Sequence, residues 1–235
     1  MKELQEKLHL PKLPYQIECF DNSNISGSDP VAACVVFKSL KPSKKDYKHY
    51  NIKTVVGPDD YASMKEVVGR RYSRLLEEEH PLPDLIIADG GKGQIEVIRQ
   101  VIQDQLKLDI PIAGLAKDDR HRTNELLYGF PPMHVALKTD SELFHVLTHI
   151  QDEVHRFAIE FHRNKRSKRA LHSELDNIPG IGSKTRDTLL KSLKTVKNIR
   201  EATLEQLSEI IGKSKATILY SYFHQEEFGD FKNNS

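Results

Sequence analysis

The stretch LIIADGGKGQ, residues 85–94, contains a strand, a turn and the start of a helix within ten positions. Its first three residues are apolar and typical of a buried strand, and Asp89 stands where that strand ends. A Gly-Gly turn follows, and Lys92 begins an amphipathic helix. Glycines between a strand and a helix are typical of phosphate-binding turns. The stretch therefore predicts either a nucleotide pocket or the surroundings of a functional aspartate.

The spacing of the glycines argues against a nucleotide pocket. A Walker A loop needs Gly-Lys-Ser/Thr, whereas here Lys92 precedes Gly93 and no Ser or Thr follows. The dinucleotide-binding spacing Gly-x-Gly-x-x-Gly is absent as well. What remains is Asp89 at the carboxyl end of a strand, beside a lysine and the free amides of a helix start. That combination suits a metal ion in contact with a phosphodiester.

Composition places the chain among ordinary globular proteins. It has 235 residues, of which 38% are hydrophobic and 29% charged, and its net charge of +1 identifies no partner. No apolar run approaches the roughly 18 residues of a membrane span, and the N-terminus lacks the apolar core of a signal peptide. The two cysteines, Cys19 and Cys34, fall in strand-like runs and are expected to be reduced core residues. We expect a cytoplasmic protein without membrane contact.

The other apolar segments predict an α/β domain. Strands are predicted at residues 15–20, 31–40, 47–56, 84–88 and 110–117, helices after Asp59 or Asp60, after Lys92 and from Ser141, and polar loops at 22–30 and 118–125. Short connections between the first three strands indicate an antiparallel meander. Strand–helix alternation follows, so we expect a mixed sheet with helices on both faces.

The C-terminal part has a different texture and predicts a second domain. The stretch HRNKRSKR, residues 162–169, carries five Lys or Arg and no acid, and is interpreted as the start of a basic linker at 162–172. We expect the α/β domain at 1–161, a small all-α domain at 173–226 and a frayed tail at 227–235. The small domain repeats a short hairpin, first as IPGIGSKT and then as IIGKSKAT.

The hairpins predict binding to the DNA backbone. Gly180 and Gly182 allow positive φ and close approach to a phosphate, and the next helix directs its free amides towards it. The candidate DNA-binding residues are Gly180, Ile181, Gly182, Lys184 and Arg186 in the first hairpin and Gly212, Lys213 and Lys215 in the second. This pattern is the helix-hairpin-helix signature. The second copy lacks the proline and one glycine, so it is either a weaker contact or a structural turn.

Asp89 needs partners, because one carboxylate binds a hard cation poorly. Asp21 also ends a strand, and the two aspartates converge if the first and fourth strands are neighbours. His155 lies on the last helix, about 100° round from the buried Val154, and is either a metal ligand, a group contacting the scissile phosphate or a plain exposed histidine. The acids could equally be turn or helix caps.

Four blocks in this order resemble the UvrC family, the bacterial nucleotide-excision-repair endonucleases. They are IECFDNSNISGSDPVAACVVF, DDYASMKEVVGRRY, PDLIIADGGKGQ and QDEVHRFAIEFHR, followed by the tandem hairpins. The resemblance is to the C-terminal half of the family and covers nearly the whole chain. The family's N-terminal nuclease domain and its UvrB-contacting segment have no counterpart in this sequence. We therefore expect a truncated chain or an unusually short relative.

The resemblance implies a fold, an activity and a set of site residues. The fold would be RNase H-like, cutting lesion-bearing double-stranded DNA on the 5′ side of the damage, and the partner would be a UvrB–DNA complex. The catalytic set would comprise Asp21, Asp89 and His155. The acid of the DDYA block is implicated too, and Asp60 is preferred over Asp59, although one of the pair must cap the helix and the choice between them stays open.

The mechanism expected is hydrolysis assisted by Mg²⁺ or Mn²⁺. Asp21 and Asp89 would bind one or two ions with His155 completing or bordering the site, and Lys92 would neutralise charge on the phosphate. Two alternatives stay open: a non-catalytic DNA-binding scaffold, and another RNase H-like nuclease such as a junction resolvase. Aspartates within about 6 Å of each other would argue against the scaffold, and a separation beyond about 10 Å would support it.

Overall fold

A computed structural model describes residues 1–23, 31–117, 123–176 and 178–224. The predicted loops at 22–30 and 118–125 lie partly outside the described residues, and the predicted tail at 227–235 lies wholly outside them. The chain forms two compact units, Met1–His162 and Arg163–Ser235. Within the described ranges, no helix combines the length and apolar character that crossing a bilayer requires.

The first unit is a mixed sheet with helices. Its strands are β1 (Gln16–Ser23), β2 (Val31–Lys38), β3 (Lys41–Pro42), β4 (Lys48–Asn51), β5 (Leu85–Asp89), β6 (Ile112–Lys117), β7 (Thr123–Tyr128) and β8 (Met133–Val135). Its helices are α1 (Lys2–Leu8), α2 (Asp60–Glu77), α3 (Lys92–Arg99), which continues as a π-helical turn at Gln100–Gln105, and α4 (Glu142–Asp176), and a 3₁₀ turn covers Lys44–Asp46.

The order of the strands brings the functional strand ends together. The described residues give the order β3-β2-β1-β5-β6-β7-β8, with β4 also paired to β2. β1 is antiparallel to β2 and parallel to β5, and Phe20 lies opposite Ala88 in that parallel pair. The condition for convergence of the two aspartates, that the first and fourth predicted strands are neighbours, is therefore met. Asp21 and Asp89 each follow the Phe20–Ala88 pair, at the same end of the sheet.

Alternation along β1 separates the two helical layers. Glu18 and Phe20 contact α2, through Arg71 and Tyr72, whereas Asp21 contacts His155 of α4. Because successive strand side chains point to opposite faces, α2 and α4 cover opposite faces of the sheet. β1 is thus buried on both sides, as its central position requires.

A buried ion pair anchors β1 to α2. Glu18 is 0% exposed, and Arg71 donates to both of its carboxylate oxygens, each at 2.6 Å. The Tyr72 hydroxyl donates to Glu18 at 2.8 Å, and Arg71 also donates to the Tyr50 hydroxyl at 3.2 Å. A bidentate pair with further hydrogen bonds is the geometry in which a buried carboxylate is compensated. The pair fixes β1 three residues before Asp21.

Four elements of the first unit, α1, β4, β7 and β8, depart from the sequence-based expectations. The N-terminal residues, for which no element was predicted, form α1, whose Leu4 and Leu8 are buried. The predicted strand at 47–56 is shorter, since β4 ends at Asn51. The predicted loop at 118–125 ends earlier, because β7 begins at Thr123, and β8 was not predicted at all. β7 has a weak alternation pattern, and its pairing with β6 through an irregular register at Ala116 and Lys117 decides its conformation.

The second unit is all-helical. It contains the end of α4 and helices α5 (Ser183–Leu193), α6 (Val196–Glu201), α7 (Leu204–Ile211) and α8 (Lys213–Phe223). Thr203 begins α7 with a capping box that includes Gln206. Residues 162–172 lie inside α4, which runs without interruption to Asp176, and their role as a linker between the domains stays a prediction. The segment contains no glycine or proline, and its lysines and arginines are good helix formers.

Candidate metal centre and nucleic-acid surface

Three predicted residues meet at one place. One ligand atom from each of Asp21, Asp89 and His155 lies within 4.8 Å of the other two, the sole such cluster of metal-ligating side chains in the described part of the chain. His155 Nδ1 is 3.3 Å from an oxygen of Asp21. The two carboxylate side chains are 9% and 4% exposed, whereas the His155 side chain is 50% exposed. The two carboxylates of the cluster are therefore buried, and the side that His155 occupies is exposed to solvent.

Three separate elements supply the cluster. Asp21 comes from β1 and Asp89 from the end of β5, and the parallel pairing of these strands brings the two together. His155 comes from α4, where it is exposed beside the stripe formed by the buried Val154 and Ile150. Sheet topology and helix packing, rather than a local sequence motif, create the site.

Asp89 has two further partners that sequence reasoning missed. Lys117 Nζ lies 3.0 Å from Asp89 Oδ2, and Gln151 Nε2 lies 2.6 Å from Asp89 Oδ1. Lys117 ends β6, the strand next to β5, so extending the strand-end rule by one strand would have found it. Gln151 stands four residues before His155 and hence on the same face of α4. That spacing was the signal for it.

Electrostatics around the carboxylates favours a cation. Burial raises the pKa of Asp89 above its ordinary value, and the negative charge of Asp21 raises it further, while Lys117 and Gln151 oppose this shift. The pKa of His155 is also raised, chiefly by its hydrogen bond to Asp21 and against the effect of burial. Two acids that repel each other in a buried place gain free energy from a positive charge between or beside them. Lys117 supplies such a charge in this structure.

The donor set fits a small divalent cation. Two carboxylates supply oxygen ligands that suit both Mg²⁺ and Mn²⁺, and the half-exposed His155 leaves room for water or a phosphate oxygen. The Lys117 ammonium already occupies the position of a cation against Asp89. The residues present therefore fit the implied metal.

Two other predicted catalytic residues lie outside the cluster. Asp59 caps α2, its side chain accepting from the Ala62 amide at 2.9 Å, as expected for one acid of the pair. Asp60, the preferred candidate, accepts a 2.7 Å hydrogen bond from Asn22 through its backbone carbonyl, not its carboxylate. Lys92 is exposed at the first position of α3. The Asp60 carboxylate is thus not part of the three-residue group, and the role of Lys92 stays a prediction.

The three glycines that follow Asp89 differ in the space around them. A Cβ on Gly93 would stand 2.5 Å from the Tyr61 hydroxyl, and one on Gly90 would stand 2.7 Å from the flexible Gln94 side chain. A Cβ on Gly91 would meet nothing within 4 Å. Only Gly91 therefore faces open space, as a turn approached by a nucleic-acid backbone requires. Gly93 instead makes room for the Tyr61 ring.

The two predicted hairpins differ in backbone and burial. Gly180 and Gly212 have φ values of 87° and 81°, in the region that favours glycine, whereas Gly182 has φ −87° and begins α5. Gly182 therefore does not use the positive φ that a glycine allows. Ile181 is 4% exposed, so its side chain belongs to the core of the second unit and only its backbone is available to DNA.

The cationic side chains of the hairpins are mostly exposed. Lys184 and Lys213 are exposed near the starts of α5 and α8. Lys215 Nζ lies 2.9 Å from the Thr185 hydroxyl and so joins α8 to α5. Arg186 is half-buried and lies 3.5 Å from Asp187. The second hairpin thus contributes a structural contact as well as charge.

Two family profiles match the chain. Residues 5–159 match the UvrC RNAse H endonuclease domain, and residues 173–220 match the SAM-like helix-hairpin-helix tandem. The first match includes all three residues of the cluster, and the second includes both hairpins. The predicted order of an RNase H-like domain and a tandem hairpin domain is confirmed.

Curated relatives agree with these profiles. The chain is 69% identical over 219 residues to the UvrABC system protein C of Bacteroides fragilis and 54% identical over 210 residues to that of Streptococcus sanguinis. These alignments cover 93% and 89% of this chain but only 36% and 34% of the relatives. The chain therefore spans about a third of the length of the curated relatives it matches.

Solved structures give a remote similarity. Human ENDOV has 12% sequence identity and a TM-score of 0.41, covering 70% of this chain and 98% of its own. A DNA complex of Ciona intestinalis endonuclease V has 15% identity and a TM-score of 0.33 over 50% of this chain.

Proposed function

The chain belongs to the family of the UvrC RNAse H endonuclease domain, and from this premise we propose that it is a divalent-metal-dependent endodeoxyribonuclease. Its reaction would be the 5′ incision beside a lesion in nucleotide excision repair, by hydrolysis of one phosphodiester bond. High identity to the UvrABC system protein C of two Bacteroides species supports the pathway.

One observation carries the proposal: the convergence of Asp21, Asp89 and His155 within 4.8 Å. These residues are far apart in sequence, and a structural role for each would not require them to meet. The distance is shorter than the separation of about 6 Å that distinguishes a nuclease from a DNA-binding scaffold. The scaffold alternative is therefore disfavoured.

The chain's own residues have distinct roles in the proposed reaction. Asp21 and Asp89 would hold a Mg²⁺ or Mn²⁺ ion, and His155 would complete the site or contact the scissile phosphate. When bound, such an ion supplies Lewis-acid stabilisation of the phosphate and activates water for attack. An imidazole that binds metal must be neutral, so His155 would release the proton that Asp21 stabilises on it. Lys117 remains beside the site as a second positive charge.

The substrate path is assigned to the surfaces around this group. Gly91 is open to solvent and Lys92 is exposed at the start of α3, so a phosphate can approach the turn that follows Asp89. We assign the neutralisation of that phosphate to Lys92, and the role of Asp60 stays a prediction. The tandem hairpins would bind double-stranded DNA through backbone amides and exposed lysines, without reading its sequence. A UvrB–DNA complex is the partner we propose from the family.

The proposal is tested by cutting of a pre-nicked, lesion-bearing duplex in Mg²⁺ or Mn²⁺. We expect Asp89→Asn to reduce the cutting rate at least about 100-fold, the loss typical of removing one group that stabilises a transition state. Binding of the uncut duplex should change little. Asp152→Asn is the matched control, because Asp152 is an exposed acid on α4 next to Gln151. Equal loss of cutting and binding in Asp89→Asn would contradict the proposal.

A further inference from the structure

We propose that Gln151 is a positioning residue for Asp89. Its side-chain amide holds one carboxylate oxygen of Asp89 by a hydrogen bond, so that the other oxygen binds the metal ion. Nothing in the sequence resemblance assigned a role to this glutamine. The inference rests on the proposed metal site and adds to it the way in which its least exposed ligand is held. The role assigned to Gln151 depends on the hydrogen bonds of its side-chain amide, which does not titrate.

The contacts of Gln151 are short and buried. The residue is 1% exposed. Its Nε2 atom donates to Asp89 Oδ1 at 2.6 Å and to the backbone carbonyl of Leu115 at 2.8 Å. Both partners accept hydrogen bonds only, so the atom facing them must be the amide nitrogen. The orientation of the amide is therefore determined by chemistry.

These contacts tie Asp89 to two neighbouring elements. Leu115 lies directly opposite Asp89 in the parallel pairing of β5 with β6. Gln151 bridges this strand pair from α4, four residues before His155. One helix thus delivers both the third candidate ligand and the group that orients the second. A shift of α4 along its axis would move both together.

The two oxygens of Asp89 differ in how readily their partners can be replaced. Oδ1 accepts a hydrogen bond from the almost fully buried Gln151 amide. Oδ2 instead accepts one from Lys117, whose side chain is 27% exposed. An entering cation can displace an ammonium that has access to solvent, and the released lysine regains hydration. Displacing the Gln151 amide from Oδ1 would instead break a buried hydrogen bond. We infer that the ion binds through Oδ2 while the Gln151 hydrogen bond is retained.

The test is titration of the full chain with Mn²⁺ by isothermal calorimetry, which needs no substrate. Gln151→Met keeps the length of the side chain and removes its donors, and Gln151→Asn keeps an amide that is one methylene too short. We expect both substitutions to raise the dissociation constant for Mn²⁺ about 10-fold or more, as is typical for groups that orient metal ligands. Circular dichroism at the titration temperature checks that each variant is folded.

The matched control is Thr148→Val on the same helix. Thr148 Oγ1 is buried and has no hydrogen-bond partner among the described residues, so its removal perturbs α4 without touching Asp89. Its Mn²⁺ affinity should equal that of the unsubstituted protein. Unchanged affinity in a folded Gln151 variant would overturn the inference. Absence of Mn²⁺ binding by the unsubstituted protein would overturn the metal site itself, and the inference with it.

A measurement on the unsubstituted protein covers the case in which both Gln151 variants unfold. The side-chain amide protons of Gln151, observed by ¹⁵N–¹H NMR, should stay protected from solvent exchange when Mg²⁺ is added in excess. Loss of that protection on saturation would mean that the ion displaces the amide, which contradicts the inference. Retained protection supports it.

Discussion

At the scale of single residues, the site depends on a buried charge that takes no part in the proposed chemistry. Glu18 is fully buried on β1, and Arg71 and Tyr72 of α2 satisfy it. Its partners fix the strand that carries Asp21 to the helix layer on the opposite face. Stability of the sheet and geometry of the candidate metal centre are therefore linked through β1.

Arg71→Met should destabilise the first unit severely. The substitution leaves the Glu18 carboxylate buried without its cation, a change that typically costs about 3–5 kcal/mol. Urea unfolding followed by circular dichroism measures it. Arg74→Met is the matched control, because Arg74 is three residues further along α2 and pairs with Glu78 on the exposed surface. An equal loss in both variants would show that Glu18 does not depend on Arg71.

The residue scale also sets the limit of what the sequence could predict at the site. Asp21, Asp89 and His155 were assigned as a set from the resemblance to the UvrC family. The residue pattern alone left each acid open between a ligand and a cap, and left His155 open between a ligand, a phosphate contact and an exposed histidine. Lys117 and Gln151 were not singled out, since a lysine after a strand and a glutamine on a helix are common in any sequence. Their role depends on the packing of α4 and β6 around Asp89. The sequence offers only a weak signal for each, namely the end of the next strand for Lys117 and the four-residue spacing from His155 for Gln151.

At the scale of elements, the two glycines of the hairpin at 180–182 are predicted to have different roles. Gly180 contributes to the stability of the fold, and Gly182 contributes to the binding of DNA. Gly180 has φ +87°, where a side chain is strained, although a Cβ there would make only an ordinary 3.5 Å contact with Ile218. Gly182 has φ −87°, and a Cβ there would meet nothing within 4 Å. The two glycines are thus required for different reasons.

We expect Gly180→Ala to destabilise the second unit by about 1–2 kcal/mol through backbone strain. Gly182→Ala should leave the unfolding midpoint nearly unchanged and still weaken binding to duplex DNA, because its methyl group occupies the space through which a phosphate approaches. Thermal unfolding and fluorescence anisotropy at several salt concentrations measure the two effects. Full DNA affinity in Gly182→Ala would contradict the assignment of this hairpin to the DNA backbone.

The elements that the sequence predicted poorly share a physical cause. The strong apolar runs of β1, β2, β5 and β6 were predicted, because burial on both faces leaves a clear pattern. β7, β8 and α1 have weaker patterns and depend on contacts with residues distant in sequence. The basic segment at 162–172 was interpreted as a linker from its charge alone. Its helix-forming composition, continuous with the rest of α4, was the better guide.

At the scale of the whole molecule, the stability of the first unit should depend on pH through His49. This histidine stacks between Phe157 and Phe161 at centroid distances of 3.6 and 4.2 Å, and it lies 2.9 Å from the Phe157 carbonyl. Burial lowers its pKa below the ordinary value. The unfolded chain therefore binds a proton at higher pH than the folded chain does.

The sign of this dependence follows from proton linkage. Because the unfolded state binds more protons, the free energy of unfolding rises with pH until His49 is neutral in both states, which requires a pH above its ordinary pKa of 6.5. Stability is lost as the pH falls below that value. We expect His49→Phe to flatten this slope between pH 5 and pH 7, measured by urea unfolding. A slope equal to that of the unsubstituted protein would mean that other groups cause the acid sensitivity.

The convergence of Asp21, Asp89 and His155 on one divalent cation is tested most directly by diffraction. Crystals equilibrated with Mn²⁺ and measured near the manganese absorption edge give an anomalous difference map. We expect its strongest peak within about 2.0–2.4 Å of an oxygen of each aspartate, on the side of the cluster that His155 faces. A map with no peak between the two aspartates, or with manganese bound only at another place on the protein, would contradict a metal-dependent nuclease site.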